Sequence, residues 1–181
     1  MKLIQILSLF TLCVSLATLA QGQQKSGFVS TEAIIALLPV TQKANDELQE
    51  MQTKFLTQGQ AMNDELTTKY DALVAQNDAG TLSDTMKQLG QQEMTQLQQD
   101  LNDHQKQMQD TLTKRRAVLF KPILNQVQET IQKVAKEQGY DVVFDIQEAG
   151  ILYATKDFNL TKSVLIDLGV DPETIPQGAG K

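Results

Sequence analysis

The chain has 181 residues, of which 25 are Gln and none is Trp, and only 5% are aromatic. Its hydrophobic fraction of 41% is ordinary for a globular protein and argues against wholesale disorder. With few aromatic side chains, the composition fits long solvent-exposed helices better than a compact enzyme. An aggregation-prone Gln-rich tract would have the same composition, so the spacing of apolar residues along the chain must distinguish it from solvent-exposed helices.

Residues 1–20 have the pattern of a secretory signal peptide. Lys2 precedes a short apolar run from Leu3 to Leu16, and small residues follow at Thr18 and Ala20. We expect cleavage after Ala20 or, as an alternative, after Gly22. An uncleaved membrane anchor is the other interpretation, but the run is short for a bilayer and polar residues follow at once. We therefore expect no stable membrane insertion.

The mature chain is acidic and has no cysteine, because Cys13 leaves with the signal peptide. Without Lys2 it carries 15 basic and 22 acidic residues, a net charge of −7. This balance disfavours nucleic acid and anionic membrane surfaces as partners. The protein can form no disulfide although it enters an export route.

The mature chain begins with a small body segment, residues 21–42. Its Gly27–Ser30 run suits a first strand, and one or two helical turns follow over Glu32–Leu38. Pro39 interrupts these turns and can start the next helix, where its missing N–H is not needed.

Residues 43–116 are predicted to form a helical hairpin. Apolar residues recur at steps of 3, 4 or 7 from Thr41 to about Gln76, which predicts a helix of about 36 residues, or roughly 54 Å. The Asn77–Gly80 turn ends it, and Thr81–Asp84 matches a capping box that opens a second helix reaching about Gln138. Two helices joined by so short a turn must lie antiparallel.

The hairpin carries an apolar stripe that is rich in Met. Met is flexible and recurs on surfaces that bind many partners. The simpler interpretation is that these residues pack in a thin seam between the two helices. Seam packing and client contact are compatible if some of the residues face a client. The candidate client-binding residues are Met51, Phe55, Met62, Leu66, Leu73, Met86, Met94 and Leu97.

The second body segment, residues 117–169, is predicted to hold the helix end, two strands and a last helix. The strands are Tyr140–Ile146 and Ile151–Ala154, and Asn159 or Thr161 caps the helix; a tail over 170–181 is expected to be disordered. The two body segments are close to the lower size limit for an independent core, so we expect oligomerisation. The candidate oligomerisation residues are Phe28, Val29, Val142, Val143, Phe144, Ile151, Leu152 and Tyr153.

Motifs that carry chemistry are scarce. Asp100, Asp103 and His104 have a spacing that could present metal ligands on one helix face, but a solvated helix edge is the favoured interpretation because no second cluster completes a shell. The sequence has no Gly-rich phosphate loop, CxxC or HExxH motif, so we expect no cofactor and no enzyme activity. Asn159 also begins a glycosylation triplet, although a helix cap is the favoured role.

The order of elements resembles the Skp/OmpH family of periplasmic chaperones. The matching segments are Gly27–Ser30, the run from Ile131 to Asp145 that includes Gly139-Tyr140-Asp141, and Asp157-x-Asn159-x-Thr161-x-x-Val164. The resemblance implies an α+β fold in which a small β-sheet, or barrel-like body, joins a homotrimer and long α-helical hairpins project as tentacles. It also implies that unfolded outer-membrane β-barrel proteins are held in the periplasm without ATP.

One feature departs from the family. Its best-known members have basic tentacles, whereas residues 43–116 here hold 8 basic and 12 acidic residues, a net charge of −4. Electrostatic capture of acidic clients and any lipopolysaccharide site are therefore in doubt. A structural or adaptor coiled-coil protein of the cell envelope is the alternative, although adaptors usually flank the hairpin with Gly-rich β-domains.

We expect the tip of the hairpin to be its most mobile part, because a narrow seam leaves the tip with the fewest packing partners. In native-state hydrogen exchange, amides at 70–90 should exchange faster than amides at 120–146. Equal protection of the two regions would contradict this prediction.

Overall fold

The computed structural model describes residues 24–171 and Thr174. These residues form two compact units, the first from 24–34 with 127–171 and the second from Ile35–Gln126. The predicted tentacle, 43–116, falls entirely within the second unit. The predicted signal peptide, and all of the predicted tail over 170–181 except Val170, Asp171 and Thr174, lie outside the described residues.

The described chain is mostly helical. The two long helices have 40 and 54 residues, and Pro122 lies inside the longer one. In chain order the elements are β1 (Ser26–Val29), α1 (Thr31–Leu37), α2 (Pro39–Asp78), α3 (Asp84–Glu137), β2 (Val142–Asp145), a 3-10 turn (Lys156–Phe158) and α4 (Thr161–Asp167). A long helical hairpin with a small strand pair confirms the predicted fold class.

The sheet of the described chain is a parallel pair, β1 with β2. Ser26 stands opposite Val142, and Val29 stands opposite Asp145. A parallel connection needs a crossover, and here the crossover consists of α1, α2 and α3. The sheet has two strands and is not closed, so the described single chain contains no barrel.

The predicted strand at Ile151–Ala154 is wrong. β1 pairs with β2 and Phe28 also bridges to Asn159, whereas residues 151–154 form no strand pairing in the described chain. Because a strand needs a neighbour to pair its backbone, the β-forming side chains here adopt no strand.

The first unit has a small core around β1. Thr161 links β1 to α4, because its hydroxyl accepts a 3.0 Å hydrogen bond from the buried N–H of Ser30. Asn159 holds the start of α4, since its side-chain oxygen accepts from the Thr161 N–H at 2.9 Å, although the N-cap residue itself is Leu160. The buried apolar side chains are Phe28, Val29, Ile34, Val127, Val134, Leu160, Val164, Leu165 and Val170.

The Gly139-Tyr140-Asp141 motif ends α3 and docks it on β1. Gly139 has φ of 70°, which ends the helix. Lys25 donates to the Gln138 carbonyl at 2.7 Å and lies 4.0 Å from the centre of the Tyr140 ring. Asp141 accepts a 2.8 Å hydrogen bond from the Lys25 N–H, which continues the strand pairing at its edge.

Asp145 connects the end of β2 to the start of α1. Its carboxylate accepts from the Thr31 N–H at 3.2 Å and from the Gln147 N–H at 3.0 Å. Burial acts to raise the pKa of Asp145, but the hydrogen bonds from Thr31, Gln147 and Glu148 outweigh it and hold the pKa below its usual value. The carboxylate therefore stabilises the folded state above its ordinary pKa, and this contribution is lost as pH falls through the lowered pKa.

The turn between α2 and α3 forms as predicted at Gly80, which has φ of 67°. In the simplest interpretation of the capping box, its first residue, Thr81, would cap the start of α3, but the structure shows a different arrangement. Ser83 accepts from the Met86 N–H at 3.3 Å, whereas the Thr81 hydroxyl donates to the Gln76 carbonyl at 3.1 Å. Thr81 thus closes the first helix and Ser83 opens the second.

Gly27→Ala should destabilise the protein. A Cβ at Gly27 would lie 2.5 Å from Leu160 Cδ1 and 2.8 Å from Tyr140 Cε1, both in the packed first unit. We expect a loss of about 1–3 kcal/mol in the free energy of unfolding, typical of overpacking. Urea unfolding followed by circular dichroism at one fixed protein concentration measures it.

Gly59→Ala is the matched control. A Cβ at Gly59 would meet only ordinary contacts, 3.7 Å from the His104 ring, in the middle of α2. Replacing a helical Gly by Ala should stabilise by roughly 0.5–1 kcal/mol. Effects of the same sign at Gly27 and Gly59 would contradict the packing argument.

Candidate functional site

The second unit contains all eight candidate client-binding residues. Seven of them have half-buried side chains, because two helices alone can cover only part of each stripe. Met86, close to the turn, is 52% exposed. The half-buried residues are Met51, Phe55, Met62, Leu66 and Leu73 on α2, and Met94 and Leu97 on α3.

His104 is a packing residue of this seam. Its ring centre lies 5.4 Å from that of Phe55 in a tilted arrangement, and Gly59 leaves room for it. Its Nε2 atom is 3.5 Å from the Gln58 side-chain oxygen. Within the described residues, no group of three His, Cys, Asp or Glu side chains is arranged to hold a metal ion.

Two ion pairs join the helices across the seam. The Arg115 guanidinium meets Glu47 with its Nη2 atom at 2.5 Å and its Nε atom at 2.6 Å. Lys69 pairs with Glu93 on α3, and this hydrogen bond raises the pKa of Lys69. Exposed pairs of this kind contribute little stability, so their main effect is to favour one register of α2 against α3.

Three open grooves run along the seam. The largest, of about 800 Å³, has the apolar side chains of Phe55, Leu101 and Met108 among its lining. A second, of about 500 Å³, includes Leu66 and Met94, and a third of about 460 Å³ includes Leu48 and Leu112. The half-buried stripe residues therefore remain reachable from solvent through these grooves.

Several exposed apolar residues of the second unit escaped the sequence analysis. These residues lie off the regular apolar stripe, so the periodicity that predicts the stripe does not include them. An apolar residue outside a regular stripe, in a helix whose other outer residues are polar, is the signal that could have identified them. They are Leu56, Tyr70, Val74, Leu89 and Val118, between 40% and 61% exposed.

In the first unit the candidate oligomerisation residues fall into three groups, which are buried, half-buried and exposed. Phe28 and Val29 are only 5% and 2% exposed, so residues of the same chain already cover them. Val142, Val143 and Ile151 are half-buried. The other three are exposed: Phe144 at 44%, Leu152 at 101% and Tyr153 at 85%.

This arrangement offers contact surface rather than reactive groups. The described hairpin presents apolar side chains in grooves, and the first unit presents large apolar side chains to solvent. No helix among the described residues has the length and apolar character needed to cross a membrane.

The described chain consists of a long helical hairpin and a small α+β unit. The family model described as "Outer membrane protein (OmpH-like)" matches residues 25–168. The chain therefore belongs to the OmpH-like family, which confirms the resemblance found in the sequence.

Two relatives illustrate the similarity. The chain is 23% identical over 150 residues to a protein of Vibrio cholerae serotype O1 (strain ATCC 39315 / El Tor Inaba N16961) named "Chaperone protein Skp", covering 83% of this chain and 86% of the relative. It shares its fold with the crystal structure of a putative outer membrane chaperone (OmpH-like) from Caulobacter crescentus CB15. The two structures align with a TM-score of 0.71 at 13% sequence identity, and the alignment covers 82% of this chain and 86% of the other.

Proposed function

We propose that this protein is an ATP-independent holdase chaperone of the periplasm, which binds unfolded outer-membrane β-barrel proteins and prevents their aggregation. The main observation in support of this proposal is that the apolar stripe of the hairpin is half-buried and remains open to solvent through grooves. The names of the Vibrio and Caulobacter relatives support a chaperone role. The protein is not an enzyme in this proposal.

The proposed mechanism is shielding by many weak contacts. An unfolded β-barrel protein exposes strands with one apolar face and unpaired edges, which pair with other chains and aggregate. Flexible side chains such as Met62 and Met94 can adapt to different client side chains. Exposed Leu56 and Tyr70 add apolar area outside the seam. Because each contact is weak, the client can leave without ATP.

The protein acts as a homotrimer in this proposal. The first unit has a small core, yet it leaves Leu152 and Tyr153 almost fully exposed in the single chain. Exposed large apolar side chains of this kind are typical of interaction surfaces. We assign them, with Phe144, to contacts between copies. The predicted signal peptide, residues 1–20, would carry each chain to the periplasm.

The oligomer can be tested with Leu152→Ser combined with Tyr153→Ser. Because both side chains are exposed, the change should leave the single-chain fold intact and lower the mass measured by light scattering from trimer toward monomer. Leu89→Ser, at a 55% exposed position of the hairpin, is the control and should keep the trimer mass. A trimer that survives the double substitution would place the interface elsewhere.

The chaperone function can be tested by diluting a urea-unfolded outer-membrane β-barrel protein into buffer with and without this protein. We expect suppressed aggregation in the absence of ATP, and a client affinity that changes little between low and moderate salt, because apolar contacts are barely screened. A steep loss of affinity with salt would contradict the apolar mechanism. A monomer that suppresses no aggregation would favour the adaptor alternative.

A further inference from the structure

The hairpin has two chemically different long faces. Each residue of an α-helix is rotated by about 100° about the helix axis from the residue before it. Two residues therefore share a face when the rotation between them is close to a whole number of turns. Several exposed amide residues on the two helices meet this condition and line the three grooves, among them Gln49, Gln52 and Asn63 on α2, and Gln98, Asn102 and Gln109 on α3. We name this surface the amide face.

The charged residues that join the helices lie on the opposite side. Leu56, which lines the largest groove, is nine positions from Glu47, and Asn102 is nine positions from Glu93. Nine positions at about 100° each amount to half a turn beyond two full turns. The cross-helix ion pairs of Glu47 and Glu93 therefore mark a separate, charged face.

Carboxylates are missing from the lining of all three grooves. Residues 43–116 contain twelve Asp and Glu, yet the charged residues along these described grooves are the cations Lys106 and Arg116. Two carboxylates stand at the edge of the largest of these grooves, where Asp64 accepts from Gln60 and Asp103 pairs with Lys106. The acidic groups of the hairpin are therefore kept to the margins of this face. Such segregation is not needed for helix solubility, because Asp or Glu at exposed positions would serve equally well.

We propose that the amide face is the client-binding surface, and that it holds an extended polypeptide segment by hydrogen bonds to its backbone. This inference rests on the proposed chaperone function and deepens it. A Gln or Asn side chain offers two donor hydrogens and an acceptor oxygen, and an extended chain offers unpaired N–H and C=O groups. Backbone groups are the same for every sequence, so the surface accepts clients of different sequence.

The groove geometry matches an extended segment. The largest groove has apolar Phe55 and Met108 beside the amides of Asn63 and Gln109. One side-chain row of a strand can lie on the apolar part while its backbone meets the amides. An extended strand advances about 6.7 Å for two residues and a helix about 6 Å for four, so strand residues two positions apart can meet amides four positions apart, such as Gln98 and Asn102.

Charge also selects this occupant. A carboxylate would offer only acceptors and would leave backbone carbonyls unpaired, whereas an amide satisfies both kinds of backbone group. No Asp or Glu lines these three grooves, although Lys106 pairs with Asp103 at the edge of one of them. A client segment that carries carboxylates is therefore repelled less here than on the charged face.

The test converts amides to carboxylates of the same shape on each face. Gln52→Glu with Gln109→Glu changes the amide face, and Gln76→Glu with Gln107→Glu changes the opposite side at equally exposed positions, with the same change of −2 in net charge. Affinity for a labelled, urea-unfolded outer-membrane β-barrel protein is measured at fixed salt. We expect about a tenfold loss for the amide-face variant and less than a twofold change for the control.

Photo-crosslinking gives a second, independent readout. A photoreactive residue replaces either Gln109 or Gln107, which are two positions apart and point to opposite sides of α3. The client should crosslink at 109 and not at 107. Crosslinks between copies at 109 without client would show that a second copy occupies the amide face and would overturn the inference.

The outcomes separate this inference from the chaperone proposal. If the wild-type protein suppresses no aggregation, the proposed function fails and the inference fails with it. If the wild type protects its client but both double variants lose the same affinity, or position 107 crosslinks as well as 109, only the inference is overturned.

Discussion

The parallel pairing of β1 with β2 is the constraint from which the rest follows. Parallel strands require the chain to return to the same end before it pairs again, and between Val29 and Val142 it makes this return with two long helices. The first of these helices has 40 residues and carries the chain about 60 Å, so a second long helix must run back along it before β2 can form. The hairpin is thus the crossover connection of the smallest possible parallel sheet.

Two helices packed alone can bury only one narrow stripe each, and this limit explains the surface of the second unit. The side chains of the stripe remain half-buried, and polar residues must cover every other face. The high Gln content meets this need without adding charge. Cross-helix pairs such as Lys69 with Glu93 lie on one side of the seam, and the grooves, lined mainly by amide and apolar residues, lie on the other.

Much of the fold could be predicted because its signals are local. The 3- and 4-residue spacing of apolar residues predicts both long helices, and Gly80 and Gly139 mark their ends through their positive φ angles. The strand predicted at Ile151–Ala154 failed because a strand also needs a partner to pair its backbone, which composition does not reveal. Asn159, rather than the 151–154 segment, bridges to β1.

The sequence by itself determined the helices, their turn and the family, since periodicity, capping and the motif around Tyr140 are encoded by neighbouring residues. Only the tertiary structure decided which apolar residues remain accessible, because exposure depends on what the second helix covers. It buried Phe28 and Val29, exposed Leu152 and Tyr153, and placed the amides of both helices along one set of grooves. Those relations join residues far apart in the chain, and no local pattern carries them.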